Sequence, residues 1–269
     1  FVVVFLFSFT RDPNAYFLLG TLAVCWFGFA RWNKKLKNFL PTFYTMTVLI
    51  LCSFVFQWHT ANLGGQRWQF PLVNIIGQRI LIDDQKTKYF VDHGMPLNEK
   101  VLCFKKTWAS SCGRDWSGFG NWIEDHGKST YIKFLLSRPV AHMVEPVVRW
   151  QDFYTSTVWG YSGVKEPARW QRVLGYVVFP KAYRLLLLAF LSIALSVLVY
   201  RKVKWDERFA VPAVLLIMVY PMLFLNWHGD VMEIVRHGVG LVLQTKLAIW
   251  LLAIYSLDRA PAFQKLLRA

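Results

Sequence analysis

The sequence predicts an all-α polytopic membrane protein with about six transmembrane helices and a mixed, Trp-rich extracytoplasmic domain between the third and the fourth. Three observations predict it. Hydrophobic residues are 55% of the 269 and aromatic residues 17%, with a mean hydropathy of +0.32, which soluble domains seldom reach. The apolar residues gather in runs near the ~20 that cross a ~30 Å hydrocarbon core. The basic clusters follow alternate runs, as the positive-inside rule requires.

Residues 1–57 hold the first three spans. Phe1–Phe9 reads as the tail of a span that begins upstream. Tyr16–Ala30 is the second, followed by Arg31, Lys34, Lys35 and Lys37, and Phe39–Gln57 is the third. Residues 58–172 are polar and rich in Trp. Residues 173–269 hold the last three spans: Arg184–Tyr200, Ala210–Asn226 and Val239–Leu257, followed by a short cytoplasmic tail. Runs this long and this uniformly apolar do not fit barrel strands, so the backbone must satisfy itself as helix. The clusters at 31–37, 201–204 and 259–268 share one side if every run crosses, and that side is expected to be cytoplasmic. Residues 58–172 then lie outside.

The formal charge of +15 is spread over many short segments and forms no basic stripe, so nucleic acid is not the expected partner. Between 58 and 170 there are 14 Lys/Arg and 10 Asp/Glu, a mixed surface rather than a charged tail. Leu72, Ile75, Ile76, Arg79 and Ile80 recur at helical spacing. "STYIKFLLSRP" reads as a short helix with Ser129 as N-cap and Pro139 as stop.

Four cysteines divide in two pairs. Cys25 and Cys52 lie in spans. Cys103 and Cys112 lie outside with eight residues between them, a feasible disulfide loop in an oxidising exterior. No further Cys or His stands at the tight spacing a structural zinc site needs.

The stretch "WHGDVMEIVRHGVG" packs His228, Asp230, Glu233, Arg236 and His237 into ten residues at the edge of the last span. On a helix starting near Gly229, Asp230, Glu233 and His237 share one face. Asp230 and Glu233 can orient or deprotonate a hydroxyl, while Arg236 and His237 can hold phosphate oxygens. The bland alternative is a helix start whose acids complement the dipole. No cofactor is fixed by the sequence; a divalent metal chelated by Glu233 and His237 at i, i+4 stays open, with the remaining ligands undefined. Lys246 lies about seven residues, or roughly 10 Å, inside the last span. It either snorkels outward or meets an anionic lipid phosphate. In "DDQKTKYFVDHGMP", Asp83, Asp84, Asp92 and His93 precede a Gly-Met-Pro loop in which Gly94 is free to take positive φ. In "GRDWSGFGNWIEDHGKSTY", Trp116, Phe119 and Trp122 beside Arg114, Asp115, Glu124 and Asp125 suit sugar stacking or lipid headgroups alike.

Together, "YFVDHGMP", "HGKSTYIKFLLSRP" and "WHGDVMEIVRH" resemble bacterial polytopic glycosyltransferases of the GT-C class, which use polyprenyl-phosphate sugars. The likeness covers roughly residues 60–258. It implies inverting transfer at the outer face of a bacterial inner membrane, with a carboxylate base and no nucleotide sugar. By motif it carries over Asp230, Glu233, Arg236 and His237 as the site region and does not assign the base; from their own chemistry Asp230 and Glu233 are the expected catalytic residues and Arg236 and His237 the expected substrate-binding residues. Lys246 and His93 complete the expected substrate-binding set. The expected partners are membrane lipids, a lipid-linked sugar and other membrane subunits. The alternative function is a non-catalytic accessory subunit of a membrane complex.

Overall fold

The computed structural model describes residues 18–26, 40–63, 68–107, 109–112, 118–154, 188–189, 191–194, 196, 209–229, 231 and 234–259. Among these there is no β-strand. The chain divides into two compact units. One holds residues 1–19, 38–148 and 224–234; the other holds 20–37, 149–223 and 235–269.

Helix α1, Leu40–Leu63, opens the described part of the first unit. Its window Pro41–Thr60 is long and apolar enough to cross a membrane. Val48, Leu51, Val55 and Phe56 are all exposed on it. Water would not tolerate that face on an isolated helix; lipid does. The Thr45 and Thr47 hydroxyls donate back to the carbonyls of Pro41 and Phe43, so neither is left unsatisfied.

Helix α2, Gln69–Ile75, continues through a π-helical turn, Ile76–Ile80. Leu72, Ile75, Ile76 and Ile80 face the core, as their spacing predicts. Gly77 is required there: a Cβ would stand 2.3 Å from the Phe104 carbonyl oxygen. Helix α3, Asp84–Asp92, is capped by Asp83, whose carboxylate accepts from the Gln85 and Lys86 amides at 3.0 and 3.1 Å. It ends at Gly94, whose φ of 85° lets the Met95 amide reach back to the Phe90 carbonyl. Asn98 caps the single turn of α4, Glu99–Leu102. Cys103 and Cys112 stand at disulfide distance, with Cα atoms 5.9 Å apart.

Helix α5, Phe119–Trp122, runs through a second π turn, Ile123–Gly127, into α6, Lys128–Ser137. The helix therefore starts before Ser129, which is not its N-cap; the Ser129 hydroxyl donates instead to the His126 carbonyl. Pro139 does follow the break at Arg138, and it opens the next helix, α7, Pro139–Val148. Leu72, Val73, Ile76, Phe90, Phe104, Phe119, Trp122, Ile123 and Phe134 share one core. Phe119 and Trp122 are spent in that core, which corrects their reading as a stacking or headgroup surface. Trp116, Arg114 and Asp115 lie outside the described residues.

In the second unit, α8 covers Gln151–Tyr154 and α9 covers Ala210–Ile217. Helix α10, Val219–Gly229, follows α9 after a turn at Met218; its residues from Phe224 belong to the first unit. Pro221 cannot donate a backbone bond in the first turn of α10, where none is needed. Helix α11 is Ile234–Arg259. Phe153 packs so closely on Gly238 that a Cβ there would meet its ring at 2.7 Å. The Gln244 amide nitrogen donates to the Leu215 carbonyl at 2.7 Å, tying α11 to α9. The Ser196 and Ser256 hydroxyls pair at 2.6 Å.

Ala210–Gly229 and Gly240–Asp258 join Pro41–Thr60 as helices able to cross a membrane, three among the described residues. These match the third, fifth and sixth expected spans. Residues 18–26 and the described part of 188–196 are helical within the second and fourth. The first expected span lies outside the described residues.

Candidate functional site

A polar cluster among the described residues lies in the first unit. It is built from α3, α6, α7 and the end of α10. Helix α7 places His142 and Glu145 one turn apart, and α10 places His228 at its last turn. One ligand atom from each of the three lies within 4.8 Å of the others.

The end of α10 is held from behind. Arg79, on the π turn after α2, sets its guanidinium 3.6 Å over the Trp227 ring and donates to the Trp227 carbonyl. Tyr131, on α6, donates its hydroxyl to the His228 carbonyl at 3.0 Å. The His228 Nε2 lies 2.9 Å from the His142 carbonyl. That carbonyl can only accept, so Nε2 carries the hydrogen and Nδ1 holds the lone pair. Phe224 and Phe134 close against the rings of His228 and His142, at 4.5 and 4.7 Å between centroids.

His142 is only 6% exposed. Among the described residues, neither of its ring nitrogens has a hydrogen-bond partner. Nδ1 is 3.7 Å from Glu145 Oε2, an ion-pair distance and too long for a hydrogen bond. Burial lowers the His142 pKa, and the Glu145 carboxylate partly opposes the shift. Burial raises the Tyr131 pKa, which keeps the phenol protonated as a donor.

A cavity of about 290 Å³ opens beside this cluster. Lys86, Tyr89 and Gln85 of α3 line one side; Arg138, His142 and Glu145 line the other. Lys86 Nζ stands 3.7 Å from Glu145 Oε1. The arrangement offers two cations, one carboxylate and one imidazole to a polar guest.

No family model matches the chain, and no curated protein or solved structure matches it either. The site is therefore read from its own geometry.

The residues singled out in the sequence fare differently. His93 is exposed at the C-cap of α3, with Nδ1 2.7 Å from the Tyr89 carbonyl and its ring stacked on Tyr89 at 4.3 Å. Asp230 and Glu233 lie outside the described residues, and so do the side chains of Arg236 and His237 in the first turn of α11. Lys246 is half-buried on α11. Asp83 is a helix cap. Sequence reasoning missed His142, Glu145, Tyr131 and Lys86. One signal was available: "PVAHMVEPVV" carries a His and a Glu at i, i+3 in an otherwise apolar, Pro-opened helix. Such a helix has no reason to hold two ionisable groups on one side unless that side faces something polar.

Proposed function

We propose that the chain is an integral membrane transferase that moves a sugar from a lipid-phosphate donor at the outer membrane face. The observation that carries the reading is the cavity of about 290 Å³, with Lys86 and Arg138 at its lining beside His142 and Glu145. Two cations in a concave site favour an anionic head group, and a bidentate guanidinium suits phosphate. The membrane-crossing helices supply the route by which a lipid tail stays in the bilayer while its head is handled outside.

In this reading Lys86 and Arg138 hold the donor phosphate. As the lipid phosphate leaves, their charge stabilises the developing anion. Asp230 and Glu233 follow His228 by two and five residues in the chain, and they are the carboxylates proposed to take the acceptor proton.

The test is binding and turnover by the full-length protein in detergent, with short-chain polyprenyl-phosphate sugars as probes. Saturable binding is expected, weakened at least ~10-fold by Lys86→Ala or Arg138→Ala through loss of a charge-assisted contact. Glu233→Gln is expected to leave binding intact and lower transfer. Absence of saturable binding, or binding indifferent to both cation changes, overturns the reading.

A further inference from the structure

We infer that His142, Glu145 and His228 form a binding site for one divalent transition-metal cation, zinc before any other. The site goes beyond the transferase reading and stands whether or not a sugar is moved.

Four features of the cluster point to a cation. The three ligand atoms lie within 4.8 Å of one another, so a single ion can reach all three with small side-chain adjustment. His142 is 6% exposed, and among the described residues its ring nitrogens make no hydrogen bond; Glu145 Oε2 stands 3.7 Å from Nδ1. A buried imidazole with an ion-pair neighbour but no hydrogen bond is poorly compensated, and a cation removes that penalty. The His228 ring shows the support that metal-ligating histidines characteristically have: one nitrogen, Nε2, donates to a backbone carbonyl, that of His142, at 2.9 Å. This fixes the neutral tautomer and leaves the lone pair on Nδ1. The Tyr131 hydroxyl donates to the His228 carbonyl at 3.0 Å and lies 3.5 Å from Nδ1, the longer of its two contacts with His228.

The fourth feature is the divided carboxylate. Glu145 turns Oε2 toward His142 and Oε1 toward Lys86, both at 3.7 Å. One oxygen is thereby available to the cation while the other keeps an ammonium partner behind it.

The donor set decides the metal class. Two imidazoles and one carboxylate are the ligand type of open zinc sites, in which a fourth position stays free for water or substrate. Magnesium and calcium prefer all-oxygen sets and are disfavoured by two nitrogens. His142 and Glu145 also line the cavity, so the free position borders the space where an anionic head group would sit. A zinc ion supplies Lewis acidity toward a phosphate oxygen there.

The test uses tag-free full-length protein in detergent, stripped with chelator and titrated with zinc chloride alone. Retained metal is counted after desalting. About one zinc per chain is expected. His142→Ala and His228→Ala should each reduce retention at least ~10-fold, and Glu145→Gln by a similar factor, while His126→Ala, an exposed control, should retain it. Zinc-edge absorption on the wild-type protein provides a readout that needs no variant to fold. It should show about two imidazole nitrogens near 2.0–2.1 Å and no sulfur. No retained zinc, retention unchanged by the three ligand variants, or a shell without imidazole overturns the site. Zinc binding without lipid-phosphate binding keeps the metal site and removes the transferase reading; the reverse result removes the metal site alone.

Discussion

The core of residues 72–134 and the flank of α1 use the same side chains in opposite ways. In the core, Val73, Ile76, Phe90 and Ile123 are fully enclosed. On α1, Val48, Leu51, Val55 and Phe56 face outward. The first pattern is what water imposes on a folded segment; the second is what hydrocarbon permits. One chain thus reads two solvents. Helix α7 borrows from both. Its His142 and Pro146 are buried, while Val140 is 72% exposed and Met143, Val144 and Val148 also face out. Its polar side is inward because that is where the cluster and cavity lie.

Phe90→Ala attacks the water-type region most directly. Phe90 is fully buried between Tyr89, Trp122 and Phe134. The cavity left should destabilise the protein by about 3–5 kcal/mol, read as a fall in thermal midpoint in detergent. A change below about 1 kcal/mol would mean that this core does not hold the unit together. Leu51→Asp attacks the lipid-type region. Leu51 sits near the middle of Pro41–Thr60, so a carboxylate there should disfavour insertion by about 2.5–3.5 kcal/mol. An insertion assay that tolerates it would place α1 away from lipid. Asp83→Ala removes a helix cap on the wet side and should lower stability by about 1 kcal/mol by chemical denaturation. A larger loss would give Asp83 a role beyond capping.

How much of this was legible depended on distance along the chain. The third, fifth and sixth spans were legible because a bilayer demands a long apolar run, which is a local property. The helix at 72–80 was legible from the spacing of Leu72, Ile75, Ile76 and Ile80. Its π turn was not, because one extra residue in a helical turn leaves the composition unchanged. The same blind spot misplaced Ser129 as a cap: the helix enters through Ile123–Gly127, and nothing local announces that. Phe119 and Trp122 looked like a binding surface because aromatics beside acids serve a core and a sugar site equally well. The candidate site was the least legible part. His228 drew notice with its charged neighbours, but its partner His142 lies 86 residues earlier. Only the fold brings that pair together.

We propose that residues 68–148 form a water-facing unit carrying the site, while α1 faces lipid. Maleimide labelling in sealed cells tests it most directly. Cys52 on α1 is exposed and is a native reporter; Cys103 and Cys112 are paired, and Cys25→Ser removes the remaining thiol. Glu124→Cys adds a reporter at an exposed position on the wet side. An impermeant maleimide is expected to label Glu124→Cys from outside and to spare Cys52, which a lipophilic maleimide then reaches. Labelling of Glu124→Cys only after permeabilisation, or labelling of both sites at one rate, would contradict it.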